Sequence, residues 1–173
     1  EGPDPRERVW DEIARVAPER VLEVGPGPGE LSERMLRELG CEVVALDVSE
    51  RMVELCRERG VEARVGDLQE LPFADGSFDL VVAAWVLFHV DLERGLAEIA
   101  RVLTPGGRLV AATNSEHHLS EARSLAGFSM AGQVPFSREN GEQALRRHFA
   151  RIERIDLEGA VTLSDAESVR AYL

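Results

Sequence analysis

Lysine is missing from this chain. All 20 basic residues are arginine, which removes a phosphate-loop lysine and any lysine Schiff base, and with them P-loop nucleotide hydrolysis and pyridoxal chemistry. Cysteine is scarce. Cys41 and Cys56 form no CxxC unit, so two reduced, half-buried thiols are expected rather than a disulfide framework or a metal site. No apolar run approaches the roughly 20 residues that cross a bilayer, and no signal-peptide pattern opens the chain, so a cytoplasmic protein without membrane contact is expected. Positive charge is in deficit too: 20 basic against 32 acidic residues leave a net charge of −12. That balance opposes the counterion release that drives nucleic-acid binding and argues against DNA or RNA as a main partner.

What remains is an ordinary globular mixture, 44 % apolar and 30 % charged over 173 residues. This length suits one domain with a real core, and residues 1–173 are read as a single unit. Helical and strand patterns alternate along most of it, predicting an α/β fold with a parallel sheet. Helices are expected over 6–16, 31–39, 51–59, 92–103 and 142–149. Strands are expected over 21–24, 43–46, 61–65, 80–84, 108–112, 152–157 and 160–163. Ser49 suits the cap of the third helix, and Thr104-Pro105-Gly106-Gly107 reads as the turn that ends the fourth. Residues 115–137 break the alternation and read as a lid or substrate region; Phe128, Met130 and Phe136 suit an apolar lid, although a stripe of such residues is more often core.

The stretch VLEVGPGPGEL, residues 21–31, puts Gly25, Gly27 and Gly29 directly after a strand and ahead of a helix. In open parallel sheets ligands bind beyond the carboxyl ends of the strands, and glycine there permits positive φ and close backbone approach. Dinucleotide enzymes place GxGxxG at this point. Here the third glycine falls one position early, and Glu30 occupies the slot that the dinucleotide pattern gives to glycine. Charge adds a second distinction. A pyrophosphate at the helix N-terminus would lie near Glu23, and like charges about 4 Å apart cost roughly 4 kcal/mol at an effective dielectric near 20. A cationic ligand would be attracted instead. The plainer reading leaves Glu23 pointing to solvent.

Four ordered blocks, EVGPGPG, ALDVS, GDLQELPFADGSFDLVVAAWVLFHV and LAEIARVLTPGGRLV, resemble the class I S-adenosylmethionine-dependent methyltransferases in their small-molecule, methyltransferase-domain branch. The resemblance covers about residues 20–114, taken as the cofactor-binding core. It implies a Rossmann-like, doubly wound, mostly parallel seven-stranded sheet, helices on both faces and an antiparallel last strand. It implies S-adenosyl-L-methionine as cofactor and a small-molecule methyl acceptor. Glu23 and the loop Gly25, Pro26, Gly27 and Gly29 would hold the methionine part. Asp47 would take the ribose hydroxyls, Val48 and Met52 would flank the adenine, and Asp67 with the Leu68 backbone would read the adenine edge. Ala84 and Trp85 would line the site beside the methyl group.

Each assignment has a plainer counterpart. Asp47 and Asp67 could be turn acids, and Trp85 a core aromatic. No protein nucleophile is nominated, because aligning acceptor, methyl and sulfur can itself supply on the order of 7–11 kcal/mol. If an acceptor must lose a proton, His89 is the candidate base; His117 and His118 read as lid surface. The absence of an Asn/Asp-Pro-Pro-Tyr/Phe segment after the fourth strand, where Ala83-Ala84-Trp85-Val86 stands, argues against adenine amino-group methylation. Two other classes stay open: a cofactor-binding module without catalysis, and a nicotinamide-dependent oxidoreductase. The latter would share Gly25, Gly27 and Asp47 but has no need of Glu23 or the GDLQELPF block.

Overall fold

The computed structural model describes residues 4–118 and 134–158. Five parallel strands, β1 (Arg20–Val24), β2 (Glu42–Asp47), β3 (Glu62–Val65), β4 (Phe78–Ala84) and β5 (Leu103–Ala112), lie in the order β3-β2-β1-β4-β5. The chain leaves β1 for β2 on one side and returns to β4 on the other. The switch point of the sheet therefore lies at the carboxyl end of β1, where ligands of such sheets bind. β1 and β4 are covered on both faces, which is why VLEV and LVVAA read as continuous apolar runs broken only by Glu23.

Helices pack on both faces. α1 (Pro5–Val16), α2 (Glu30–Leu39) and α3 (Glu50–Glu58) bury Trp10, Ile13, Met35, Val53 and Cys56 against one side of the sheet. α4 (Leu92–Val102) and α5 (Gly141–Leu145) cover the other, over Leu22, Val24, Val81 and Phe78. The ends of these helices follow from their sequence. Asp4, Ser49 and Asp91 cap α1, α3 and α4, each side chain accepting from a backbone N–H of the first turn. Such caps contribute about 1 kcal/mol each. α2 is bracketed by Gly29 and Gly40, both left-handed.

Several expectations need correction. The Thr104-Pro105-Gly106-Gly107 turn does not precede the fifth strand but sits inside it. The pairing with β4 jumps from Phe78↔Leu103 to Leu80↔Arg108, so these residues bulge out of the ladder and Gly106 takes φ +86°. The helix expected over 142–149 stops at Leu145 and finishes as turns. Among the described residues the sheet has five strands, and the strand expected at 152–157 carries no ladder there; the one expected at 160–163 lies outside the described residues. Of the two readings of Phe136 the structure takes core: it is 3 % exposed and packed so closely on Gly141 that a Cβ there would stand 2.9 Å from its ring. Phe128 and Met130 lie outside the described residues. Cys41 and Cys56 are free and fully rather than half buried. Among the described residues no helix is long and apolar enough to cross a membrane.

Candidate functional site

The predicted site residues meet along one edge of the sheet, because β1 to β4 run parallel and present their carboxyl ends together. Pairing places Glu23 beside Ala45 and Val82, and Asp47 beside Val65, two residues before Asp67. The loop 25–29 is tied down at each step. The Gly25 N–H donates to the Leu46 carbonyl of β2 at 2.9 Å and the Gly29 N–H to the Pro26 carbonyl at 3.1 Å. Gly25, Gly27 and Gly29 all take positive φ, +67°, +55° and +83°.

The three glycines have different causes. A Cβ at Gly25 would stand 2.6 Å from Val86 Cγ2, and one at Gly29 would stand 2.7 Å from Cys56 Sγ. Both positions are therefore closed by the protein's own packing. At Gly27 nothing lies within 4 Å. Only Gly27 leaves bare backbone with room for a ligand beside it.

Glu23 does not point to solvent. It is 3 % exposed and accepts a hydrogen bond from Ser32 Oγ in the first turn of α2. Burial raises its carboxyl pKa to about 7, against the lowering effect of the Ser32 hydroxyl. A carboxyl raised this far carries less than a full negative charge near neutral pH. A cation arriving nearby favours the charged form and a diphosphate the neutral one, so discrimination keeps its sign and loses magnitude.

Asp47 is half-buried, and its Oδ1 accepts from the Ser49 N–H at 2.9 Å, the turn that launches α3. Val48 is 71 % exposed, a large apolar residue on open surface at the strand end. Met52 is half-buried one turn into α3. Asp67 is exposed and held below the usual carboxylate range by the Gln69 backbone N–H, at 2.8 Å, and by the Gln69 side-chain amide. Leu68 points its side chain into the core at 4 % exposure, leaving only its backbone to the site.

On the far side of the switch point, Ala84 and Trp85 pack partly against the α1–α3 face. Trp85 holds φ +57°, a strained conformation for so bulky a residue, with its N–H donating to the Ala112 carbonyl at 2.9 Å. The chain then doubles back, and Val86 closes over Gly25. His89 ends a single 3₁₀ turn, Leu87–His89, exposed and packed at 4.3 Å between ring centroids against Phe88. His117 and His118 lie in a turn after β5.

Sequence reasoning missed four supports of this edge. Ser32 orients Glu23. Gln69 fixes Asp67 and also accepts from the Asp91 N–H at the start of α4, at 3.1 Å. Cys56 and Arg59 reach the glycine loop from α3. Asp67 is itself an Asx-turn signal, since its carboxylate accepts from the backbone two residues on, and that signal could have pointed to position 69; the others depend on helix packing and leave no local trace. Arg101 secures the stretch after Asp67 by donating to the Leu71 and Phe73 carbonyls at 3.0 and 2.8 Å.

Residues 22–111 match the family described as a methyltransferase domain. Over 170 residues, 96 % of this chain and 65 % of the relative, the sequence is 41 % identical to a demethylmenaquinone methyltransferase of Renibacterium salmoninarum. The chain belongs to this methyltransferase family. Membership brings S-adenosyl-L-methionine as the cofactor. Among solved structures, a SAM-dependent methyltransferase of Thermotoga maritima superposes with TM-score 0.62 at 27 % identity, over 83 % of this chain and 70 % of that one. The cyclase SpnF superposes with TM-score 0.66 at 26 % identity, over 82 % and 57 %. The chain spans between 41 % and 65 % of the length of curated relatives that it matches.

Proposed function

We propose that residues 1–173 form one methyltransferase domain that binds S-adenosyl-L-methionine at the carboxyl ends of β1–β4 and passes its methyl group to a small molecule. The observation that carries this reading is the open, Cβ-free backbone at Gly27 on the same sheet edge as two carboxylates, Asp47 and Asp67, and the apolar Val48. That donor and acceptor set fits the cofactor. Asp47 has a second oxygen for ribose hydroxyls beside the one given to Ser49. Val48 and Met52 offer an apolar wall to adenine, and Asp67 with the Leu68 backbone offers hydrogen bonds to its edge. The methionine portion would lie against the loop Gly25, Pro26, Gly27 and Gly29, entering at the open backbone of Gly27, with Glu23 behind it.

When bound, this cofactor supplies a methyl group on a positively charged sulfur and leaves as a neutral thioether. The chain's own task is to orient. Ala84 and Trp85 would line the site beside the bound methyl group, where their apolar character would exclude water. A strained Trp85 backbone at this point fits a residue held for position rather than for stability. His89, exposed next to this segment, is the nearest candidate to take a proton from an acceptor that must lose one. The mechanism needs no protein nucleophile.

The net charge of −12 and the relatives' names favour a small-molecule acceptor over nucleic acid. Demethylmenaquinone is the first acceptor to offer, since it appears in the name of a 41 % identical relative. The test incubates the protein with labelled methyl donor and either that quinone or a metabolite extract, and follows products by mass spectrometry. Gain of one labelled methyl supports the reading. A second reading, cofactor binding without methyl transfer, draws on the likeness to the cyclase SpnF. It predicts binding of S-adenosylhomocysteine with no labelled product from any acceptor.

A further inference from the structure

The glycine loop is built from Gly25-Pro26-Gly27-Pro28-Gly29. The prolines fix φ at alternate positions, but every glycine between them can rotate freely, and glycine loses more backbone freedom on ordering than any other residue. A loop of this kind left to itself would have to be ordered by each arriving ligand, at the expense of affinity. Here α3 does that ordering beforehand. Arg59, at the C-terminal end of α3, donates from Nε to the Pro28 carbonyl at 2.8 Å. Its Nη1 meets Glu33 in the first turn of α2 at 2.6 Å. One turn earlier, Cys56 Sγ donates to the Gly27 carbonyl at 3.6 Å and fills the space where a Gly29 Cβ would stand. The same helix carries Met52 near its other end, four residues after Val48. A single rigid element thus touches both halves of the proposed site.

We infer that Arg59 is a positioning residue for the cofactor, with Cys56 behind it: together they hold the carbonyls of Pro28 and Gly27 so that the loop is ordered before the cofactor arrives. This rests on the reading of the loop as a cofactor site. Arg59 touches no ligand in this account and acts only through the loop. Its planar fork can engage the Pro28 carbonyl and the Glu33 carboxylate together, which a lysine at this place could not reproduce.

The test compares wild type, Arg59→Ala, Arg59→Lys and Glu33→Gln by calorimetric titration with S-adenosylhomocysteine, together with thermal midpoints and amide exchange at Gly25, Gly27 and Gly29 in the free protein. Arg59→Ala should weaken binding about tenfold and speed exchange at the loop glycines, with exchange returning to the wild-type rate when the site is saturated. Glu33→Gln removes the shorter of the two ion pairs of Arg59, leaving Glu30 at 3.8 Å, but keeps the Pro28 contact, and should change affinity less than about threefold, as expected of an exposed pair. Arg59→Lys keeps the charge and should fall between the two, so it decides the matter should Arg59→Ala fail to fold. Unchanged affinity and unchanged loop exchange in a folded Arg59 variant would overturn the inference. So would an equal loss in Glu33→Gln, which would assign the effect to surface charge. If wild type itself ignores S-adenosylhomocysteine, the cofactor reading falls, while loop exchange in the Arg59 variants still decides whether the brace exists.

Discussion

The half of the sheet made by β1, β2 and β3 and the half that begins with β4 use opposite means. In the first half, polar groups sit at strand ends and each is fixed by a neighbour: Glu23 by Ser32, Asp47 by the Ser49 N–H, Asp67 by Gln69. In the second half, the segment leaving β4 is Ala84-Trp85-Val86, which offers no charged side chain; packing and the Trp85 N–H bond to the Ala112 carbonyl hold it against the strain of a left-handed Trp85. The first arrangement suits recognition of one unchanging, polar ligand. The second suits a surface that must line up a partner next to it, where shape matters more than hydrogen bonding.

Substitutions can separate the two halves. The largest effect should come from Gly27→Val. No protein atom lies where its side chain would begin, so the fold should survive with only the cost of a left-handed valine, about 1–2 kcal/mol, while binding of S-adenosylhomocysteine is lost in a calorimetric titration. Asp47→Ala comes next, with about 2–4 kcal/mol of binding lost along with its charge-assisted hydrogen bonds and the fold retained.

Glu23→Gln tests the buried carboxyl through stability rather than binding. In the unfolded chain this group loses its proton near 4.5, whereas the folded protein holds it to about 7. Its contribution is therefore fully present below pH 4.5, declines as pH rises towards 7, and is gone above it. The decline amounts to about 3 kcal/mol. Denaturant titrations between pH 4 and 8 should show this slope in wild type and a flatter profile in Glu23→Gln. A parallel slope in both would remove the buried-acid account.

The smallest effect belongs to the second half. Trp85→Gly and Trp85→Ala lose the same ring, but only alanine keeps the strain of a left-handed residue. Glycine should therefore be the more stable of the two by about 1 kcal/mol, read from their thermal midpoints. Equal midpoints would mean that the angle at Trp85 carries no strain.

The same division decided what was legible in the sequence. Strand ends followed by Gly, Asp-Val-Ser or Gly-Asp are local signals, and Gly25, Asp47 and Asp67 duly meet at one sheet edge. Their causes were less legible. The spacing of the three glycines says that side chains are excluded but not by what, and at Gly25 and Gly29 the excluding atoms belong to Val86 and Cys56, distant in sequence. The burial of Glu23 is equally invisible locally, because its cover comes from Ser32 across a helix–strand contact. Phe136 leaves two readings open in sequence, lid or core, and only its packing against Gly141 decides for the core. The turn at 104–107 was seen, but its place inside β5 depends on the pairing partner, β4.

The central claim is that bare backbone at Gly27, with Glu23 beneath α2 and Asp47 on the next strand, receives a cationic methyl donor rather than a dinucleotide. Titrating the protein in parallel with S-adenosylhomocysteine and with NADH tests it most directly. Saturable binding of the thioether that disappears in Gly27→Val, with no heat from NADH, is the predicted result; tight NADH binding with no response to S-adenosylhomocysteine would contradict it.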